Sequence, residues 1–150
     1  MKRPSVGESA PNFTLASTKA GTFELSKKLK AGPLVLFFYP KDFTSGCTAE
    51  SCSFRDHHAE FARKGVSVFG VSRDDIPTHE RFIAAHSLPY DLLSDPEARV
   101  HTLYGLKKRF VILMDRVTFV IDRSGVIRQI FDSRVDMGGH IQAALKTLLD

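Results

Sequence analysis

Cys47 and Cys52 are the only thiols in a chain of 150 residues, and both lie in Pro40-Lys41-Asp42-Phe43-Thr44-Ser45-Gly46-Cys47-Thr48-Ala49-Glu50-Ser51-Cys52. Whatever sulfur chemistry the protein performs is therefore confined to one junction. Upstream, Leu34 to Tyr39 is an apolar run that reads as a buried strand; downstream, the apolar spacing to Lys64 is helical. If the helix begins near Ser45, with the hydroxyl of Thr44 or Ser45 as its cap, Cys47 falls in the first turn. Cys47, Glu50, Phe54, His58 and Phe61 then share the face that a sheet would cover. Cys52 does not: five residues on, it is turned by about 140° and raised by about 7.5 Å, which sets the two Cα atoms about 8 to 9 Å apart. A disulfide needs less than about 7 Å, so the pair can bond only if the first turns unwind. Unpaired backbone N–H groups and the positive helix end favour an anionic sulfur at the inward position. Cys47 is thus the nucleophile, and Cys52 suits a resolving thiol that acts after the first chemical step.

The same residues carry a resemblance. Pro40-x-x-x-Thr44-x-x-Cys47 resembles the active-site motif of the peroxiredoxins, and Cys52, Phe54, Arg55 and Asp56 are similar to the bacterioferritin comigratory protein, or Q-type, branch. Gly7 to Phe13 resembles the family's opening, Leu92 to Pro96 its middle, and Arg116-Val-Thr-Phe-Val-Ile-Asp122 the strand that delivers its active-site arginine. Four motifs in family order run through nearly the whole chain. Two departures are visible: Ser45 stands where this branch often has proline, and the run Phe110 to Met114 before Asp115 and Arg116 is unusually apolar.

The resemblance implies a thiol peroxidase acting on hydrogen peroxide and organic hydroperoxides. The Cys47 thiolate attacks one peroxide oxygen, the O–O bond breaks, and the sulfur becomes a sulfenic acid. Ionisation alone is insufficient, since taking a thiol's pKa from about 8.5 to about 6 raises the neutral-pH thiolate only about thirtyfold, at some cost in nucleophilicity. Donors that stabilise the charge moving onto the leaving oxygen must supply more, about 10² to 10³ for one well-placed group. Thr44 can turn its hydroxyl to the same pocket, the Cys47 N–H opens the helix, and Arg116 offers a permanently charged, several-pronged donor. The resemblance assigns Thr44, Cys47 and Arg116 to the active site with Pro40 as a shield over the sulfur, and Glu50 is expected to orient Arg116 through a carboxylate pair. It also implies that Cys52 closes an intramolecular disulfide, reopened by thioredoxin or a similar dithiol, without a cofactor.

Each residue also has a plainer reading. A first-turn cysteine is commonly a small core hydrophobe, Thr44 by spacing alone is equally a helix cap, Arg116 alone is a surface residue, and Cys52 could be idle where an outside thiol serves. A general thiol-disulfide oxidoreductase would share the fold but places its cysteines at Cys-x-x-Cys spacing. A metal-carrying protein could use Cys47, Cys52 and one of His57 and His58, but the cysteines point apart and no second pair of zinc spacing follows. His58 is expected against the core, His57 on the surface, and Met137 to His140 as loop and helix start.

Composition narrows the class. Apolar residues make up 43% and charged residues 25%, with net charge +4, as in soluble globular proteins of one domain, here residues 1–150. The basic clusters Lys27-Lys28-Leu29-Lys30 and Lys107-Lys108-Arg109 lack interleaved stacking aromatics, so nucleic-acid binding is not expected. No apolar run has the length of a membrane span, and Met1-Lys2-Arg3 leads into Pro4, Ser5 and Gly7 rather than a signal sequence. Two cysteines do not make a secreted disulfide scaffold; a cytoplasmic chain with a transient disulfide is expected, monomeric or weakly homodimeric.

The remaining elements must position these groups. Phe13 to Leu15 and Thr22 to Leu25 alternate around Lys19-Ala20-Gly21 as a hairpin. Gly65 ends the active-site helix, and Val66 to Ser72 follows as a second buried strand, parallel to the first by a right-handed crossover. Pro77 to His86 reads as helix, Leu92-Leu93 as strand and Pro96 to Tyr104 as helix. Val117 to Ile121 and Val126 to Phe131 pair through Asp122-Arg123-Ser124-Gly125, and Ile141, Leu145 and Leu148 mark the last helix. The expected architecture is α/β: a mixed central sheet with helices on both faces and an N-terminal β-hairpin, the thioredoxin-like fold that the resemblance implies.

Overall fold

Leu34–Phe38 is fully buried at every position and forms β3, an interior strand of a seven-stranded mixed sheet. The structure is a computed structural model that describes residues 2–19, 21–106, 108–109, 113–133 and 136–149. On one side β3 pairs in parallel with β4 (Ser67–Ser72), which pairs in parallel with β5 (Asp91–Ser94); on the other it is antiparallel to β8 (Val117–Ile121), followed by β9 (Ile127–Asp132). The hairpin of β1 (Thr14–Ser17) and β2 (Gly21–Glu24) joins the β5 edge, giving the order β2-β1-β5-β4-β3-β8-β9. A two-stranded ladder of β6 (Lys108–Arg109) and β7 (Leu113–Met114) is separate. The expected strands are present, and this ladder adds a pairing that so short and irregular a stretch did not announce.

Period-two alternation divides the core between two faces. Leu34, Leu36 and Phe38 point to a layer with α1 (Leu25–Leu29) and α5 (Arg99–Leu103). Val35 and Phe37 point to the layer of α2 (Ser45–Asp56), α3 (His58–Arg63), α4 (Ile76–His86) and α6 (Met137–Leu149). Phe37 stacks on Phe54 of α2 with ring centres 4.4 Å apart, which seats the helix carrying both cysteines on the sheet. Burying each such ring contributes about 1.5 to 3 kcal/mol.

The segment expected as one helix to Lys64 is two. The chain leaves helical geometry at His57 (φ −104°, ψ 6°), and α3 restarts at His58. Phe54 and Phe61 are both buried, so the apolar spacing persists across the break and conceals it. His57 and His58 are both half-buried, His58 beside the Tyr90 ring and His57 with its Nδ1 at 2.9 Å from the Ser53 carbonyl. Gly65 follows α3 at φ +71°, as its stop position requires. The helix expected from Pro96 is shorter: Asp95 accepts the Val100 and His101 N–H groups, and regular geometry starts at Arg99. Lys27 to Pro33, expected as a plain connection, begins inside α1. Ala20, Lys107 and the Phe110 to Ile112 part of the apolar run lie outside the described residues. Among the described residues no helix is long and apolar enough to cross a membrane.

Candidate active site

Because β3 and β8 run in opposite directions with Phe38 paired to Val117, the residue before β8 stands beside the chain that leaves β3. That residue is Arg116. The chain leaving β3 turns through Tyr39 to Thr44 and enters α2, whose first turn carries Cys47, 1% exposed. The Nη2 group of Arg116 donates to the Cys47 sulfur at 3.2 Å, and its Nη1 group donates to Oε1 of Glu50 at 2.6 Å. The Lys41 backbone N–H also points to the sulfur, at 3.5 Å. Both cysteines are free thiols, with Cys52 half-buried.

Thr44 stands at the N-cap position, but its hydroxyl donates to the Lys41 carbonyl at 2.8 Å and makes no cap bond. The capping expected of Thr44 is thus replaced by a bond that closes the loop on itself, and Ser45 is already inside the helix. Pro40 is half-buried and lines a surface hollow with Lys41, Arg73, Asp74 and Pro96. The arrangement therefore brings together Cys47, Arg116, Glu50 and the Lys41–Thr44 loop, with Cys52 a turn and a half away on the same helix.

Behind the arginine lies a second layer. Burial pushes the Glu50 carboxyl up to about 7, against the pull of Arg116. For Arg116 burial works against the cation, but the charges of Glu50 and Cys47 outweigh it and raise its pKa. The other Glu50 oxygen lies 3.4 Å from Nδ1 of His140, a ring that is fully buried on α6. Burial holds His140 below its usual pKa. Its Nε2 faces the Ser133 carbonyl at 2.7 Å and so carries the hydrogen; its Nδ1 then accepts from the Thr118 hydroxyl, also at 2.7 Å. Met137 to His140, expected as loop and helix start, is helical throughout, since α6 begins at Met137.

A third layer anchors the loop. Asp42, 3% exposed, accepts from the Tyr39 hydroxyl at 2.5 Å and meets Nδ1 of His79 at 2.6 Å. Burial first, and the nearby Asp42 second, push the Tyr39 phenol well above its ordinary pKa, so it acts as a donor. Asp42, Asp74 and His79 bring ligand-type atoms within 4.8 Å of one another. Both Asp42 oxygens and both His79 ring nitrogens are engaged by protein groups, and the cluster includes neither cysteine. It is a hydrogen-bond cluster rather than the Cys and His ligand set considered from the sequence.

This geometry agrees with comparison to known proteins. Residues 6–130 match the AhpC/TSA family. A putative peroxiredoxin bcp from Coxiella burnetii is 39% identical over 91% of this chain and 93% of its own length. The chain belongs to the peroxiredoxins, in their Q or bacterioferritin comigratory branch. This peroxiredoxin is also 39% identical, over 96% of its length, to the chloroplastic peroxiredoxin Q of Oryza sativa subsp. japonica, of which it spans 66%. Its fold matches the crystal structure of peroxidoxin BcpB from Mycobacterium tuberculosis at TM-score 0.90 and 35% identity, with 96% of each chain covered. The thioredoxin-like expectation for this peroxiredoxin is thereby met.

Proposed function

We propose that this peroxiredoxin reduces hydrogen peroxide and organic hydroperoxides at Cys47, one domain carrying the whole cycle. The observation that carries the reading is the Arg116 guanidinium donating to a buried sulfur while Glu50 holds its other prong. The Cys47 thiolate gives an electron pair to one peroxide oxygen, the O–O bond breaks, and the departing alkoxide or hydroxide takes up a proton. Arg116 and the Lys41 N–H, which both point to the sulfur, are the donors assigned to the charge on the oxygens during this step. The Thr44 hydroxyl, bonded to the Lys41 carbonyl, is assigned the part of bracing the loop that carries that N–H, and Pro40 the part of a shield. Cys52 then attacks the Cys47 sulfenic acid, the S–O bond breaks, and water leaves as the disulfide forms. The α2 helix must first melt locally, since the intact helix holds the two Cα atoms about 8 to 9 Å apart. Thioredoxin or a similar dithiol reopens the bond by exchange. A cytoplasmic setting suits a disulfide that must be re-reduced, and the protein acts as a monomer or weak homodimer, without nucleic acid or membrane as partner.

The test is mass spectrometry of the reduced protein after one equivalent of hydrogen peroxide, with and without a sulfenic-acid trap. Trapped sulfenic acid on Cys47, giving way to an intramolecular disulfide without the trap, is the expected result. An unmodified protein, or reaction unchanged in Cys47→Ser, overturns it.

A further inference from the structure

His79, Phe82 and His86 lie three and seven positions apart on α4, hence on one helical face, and each holds part of the segment that contains Cys47. The His79 ring binds the Asp42 carboxylate and donates from Nε2 to the Leu93 carbonyl at 2.9 Å, which fixes it to β5. The Phe82 ring meets the edge of Phe43 at 5.1 Å. The His86 carbonyl accepts from Arg55 of α2 at 2.8 Å. Within this grip the Asp42 N–H donates to Asp74 at 2.8 Å, and the Lys41 N–H is aimed at the Cys47 sulfur. Phe43 adopts φ +62°, a left-handed conformation that a bulky residue keeps only where its surroundings impose it. The ring is 52% exposed, so its contacts with α4 and the anchored Asp42 beside it do the imposing.

We propose that Asp42 and His79 are positioning residues. Their buried pair holds the loop in the arrangement that receives peroxide, and it must open before Cys47 can reach Cys52. It therefore sets the division of the sulfenic acid between disulfide closure and further oxidation. The proposal rests on the reading that Cys47 is oxidised and Cys52 resolves it. In closure the Cys52 sulfur bonds the Cys47 sulfur, the S–O bond breaks, and hydroxide leaves with the Cys52 proton as water. In the competing branch a second peroxide molecule oxidises the sulfenic acid to sulfinic acid. Loosening the latch should slow the first oxidation, because the Lys41 N–H loses its aim, and speed closure, because less structure must melt. Leu15→Ala, in the core layer on the opposite face of the sheet, lowers overall stability without touching the loop and should reproduce neither shift.

The experiment compares reduced wild type, His79→Leu and Asp42→Asn after rapid mixing with hydrogen peroxide, with acid-quenched samples analysed by mass spectrometry. One equivalent of peroxide reads oxidation and closure; a large excess reads the sulfinic fraction. For His79→Leu, loss of a buried partner should accelerate closure about tenfold, slow oxidation, and lower the sulfinic fraction. Asp42→Asn keeps the shape and should shift all three in the same directions by less; it carries the test if His79→Leu does not fold. Closure rates and sulfinic fractions equal to wild type in a folded variant, or closure slower than wild type, overturn the latch. Wild type that forms neither sulfenic acid nor disulfide overturns instead the peroxidase reading on which it rests.

Discussion

Arg116 reaches Glu50 with one amino group at 2.6 Å and Cys47 with the other at 3.2 Å. The carboxylate fixes the guanidinium plane, so the second prong is aimed at the sulfur before any peroxide arrives. A lysine has one ammonium and cannot serve both partners with fixed geometry. Arg116→Lys should therefore reduce the rate of the first oxidation by about 10² to 10³, the worth of one oriented donor. Single-turnover mixing with one equivalent of peroxide measures it, with circular dichroism to verify the fold. A rate within a factor of about three of wild type would remove the oriented guanidinium from the proposed mechanism.

Cys52 is half-buried on α2, away from the face that carries Cys47 and Glu50. Its removal should leave the first oxidation intact while denying the sulfenic acid an internal partner. Cys52→Ser is expected to consume one equivalent of peroxide and then stall in the presence of thioredoxin and its reducing system. Sustained turnover at the wild-type rate would assign resolution to an external thiol.

The chemistry at α2 was legible because its parts are close in sequence: Pro40, Thr44, Cys47 and Cys52 fall within thirteen residues, and their periodicity states which side each faces. The interior strand β3 was legible for a similar reason, as Leu34 to Phe38 leaves no polar face for solvent. The Glu50–Arg116 pair was expected through the family pattern and is present at 2.6 Å. What escaped is tertiary. His79 lies 37 positions from Asp42, and His140 lies 22 from Thr118, so neither partnership leaves a local trace. The Thr44 hydroxyl had two acceptable partners, a helix N–H and a loop carbonyl, and propensity cannot choose between them. The break at His57 was hidden because Phe54 and Phe61 bury on the same side of it.

Gly70 of β4 is paired with Phe37 of β3, and the aromatic ring occupies the space a side chain would need. A Cβ at this position would lie 2.7 Å from Cζ of Phe37 and 2.8 Å from Cδ2 of Leu92, both side chains being fully buried. Gly70→Ala should therefore destabilise by about 1 to 3 kcal/mol through overpacking. Phe37 also supports Phe54 under α2, so the displaced ring should disturb the cysteine helix as well. Denaturant unfolding provides the first readout and the rate of disulfide closure the second. An unchanged unfolding midpoint would mean that the ring has somewhere else to go.

Glu50 links the site to pH with a definite sign. Its carboxyl is raised from 4.5 to about 7, so between those values the folded protein keeps a proton that the unfolded chain releases. Its contribution to stability is therefore fully present below about pH 4.5, declines as pH rises, and is exhausted above about pH 7. The span from 4.5 to about 7 bounds the effect at on the order of 3 kcal/mol. His140, lowered by burial, acts in the opposite sense: its contribution is present above its ordinary value of 6.5 and is lost as pH falls below it. Comparing wild type with Glu50→Gln reads the first effect, because the bonds of His140 to Ser133 and Thr118 are common to both proteins. Unfolding free energies measured from pH 4.5 to 8.5 should show wild type losing stability relative to Glu50→Gln up to about pH 7 and running parallel to it beyond. The same titration should raise the rate of the first oxidation in wild type, since only the ionised carboxylate holds the Arg116 prong by charge, and should leave Glu50→Gln without that rise. A constant stability difference across the whole range would mean that Glu50 is already ionised at its lower end and that Arg116, rather than burial, governs its proton.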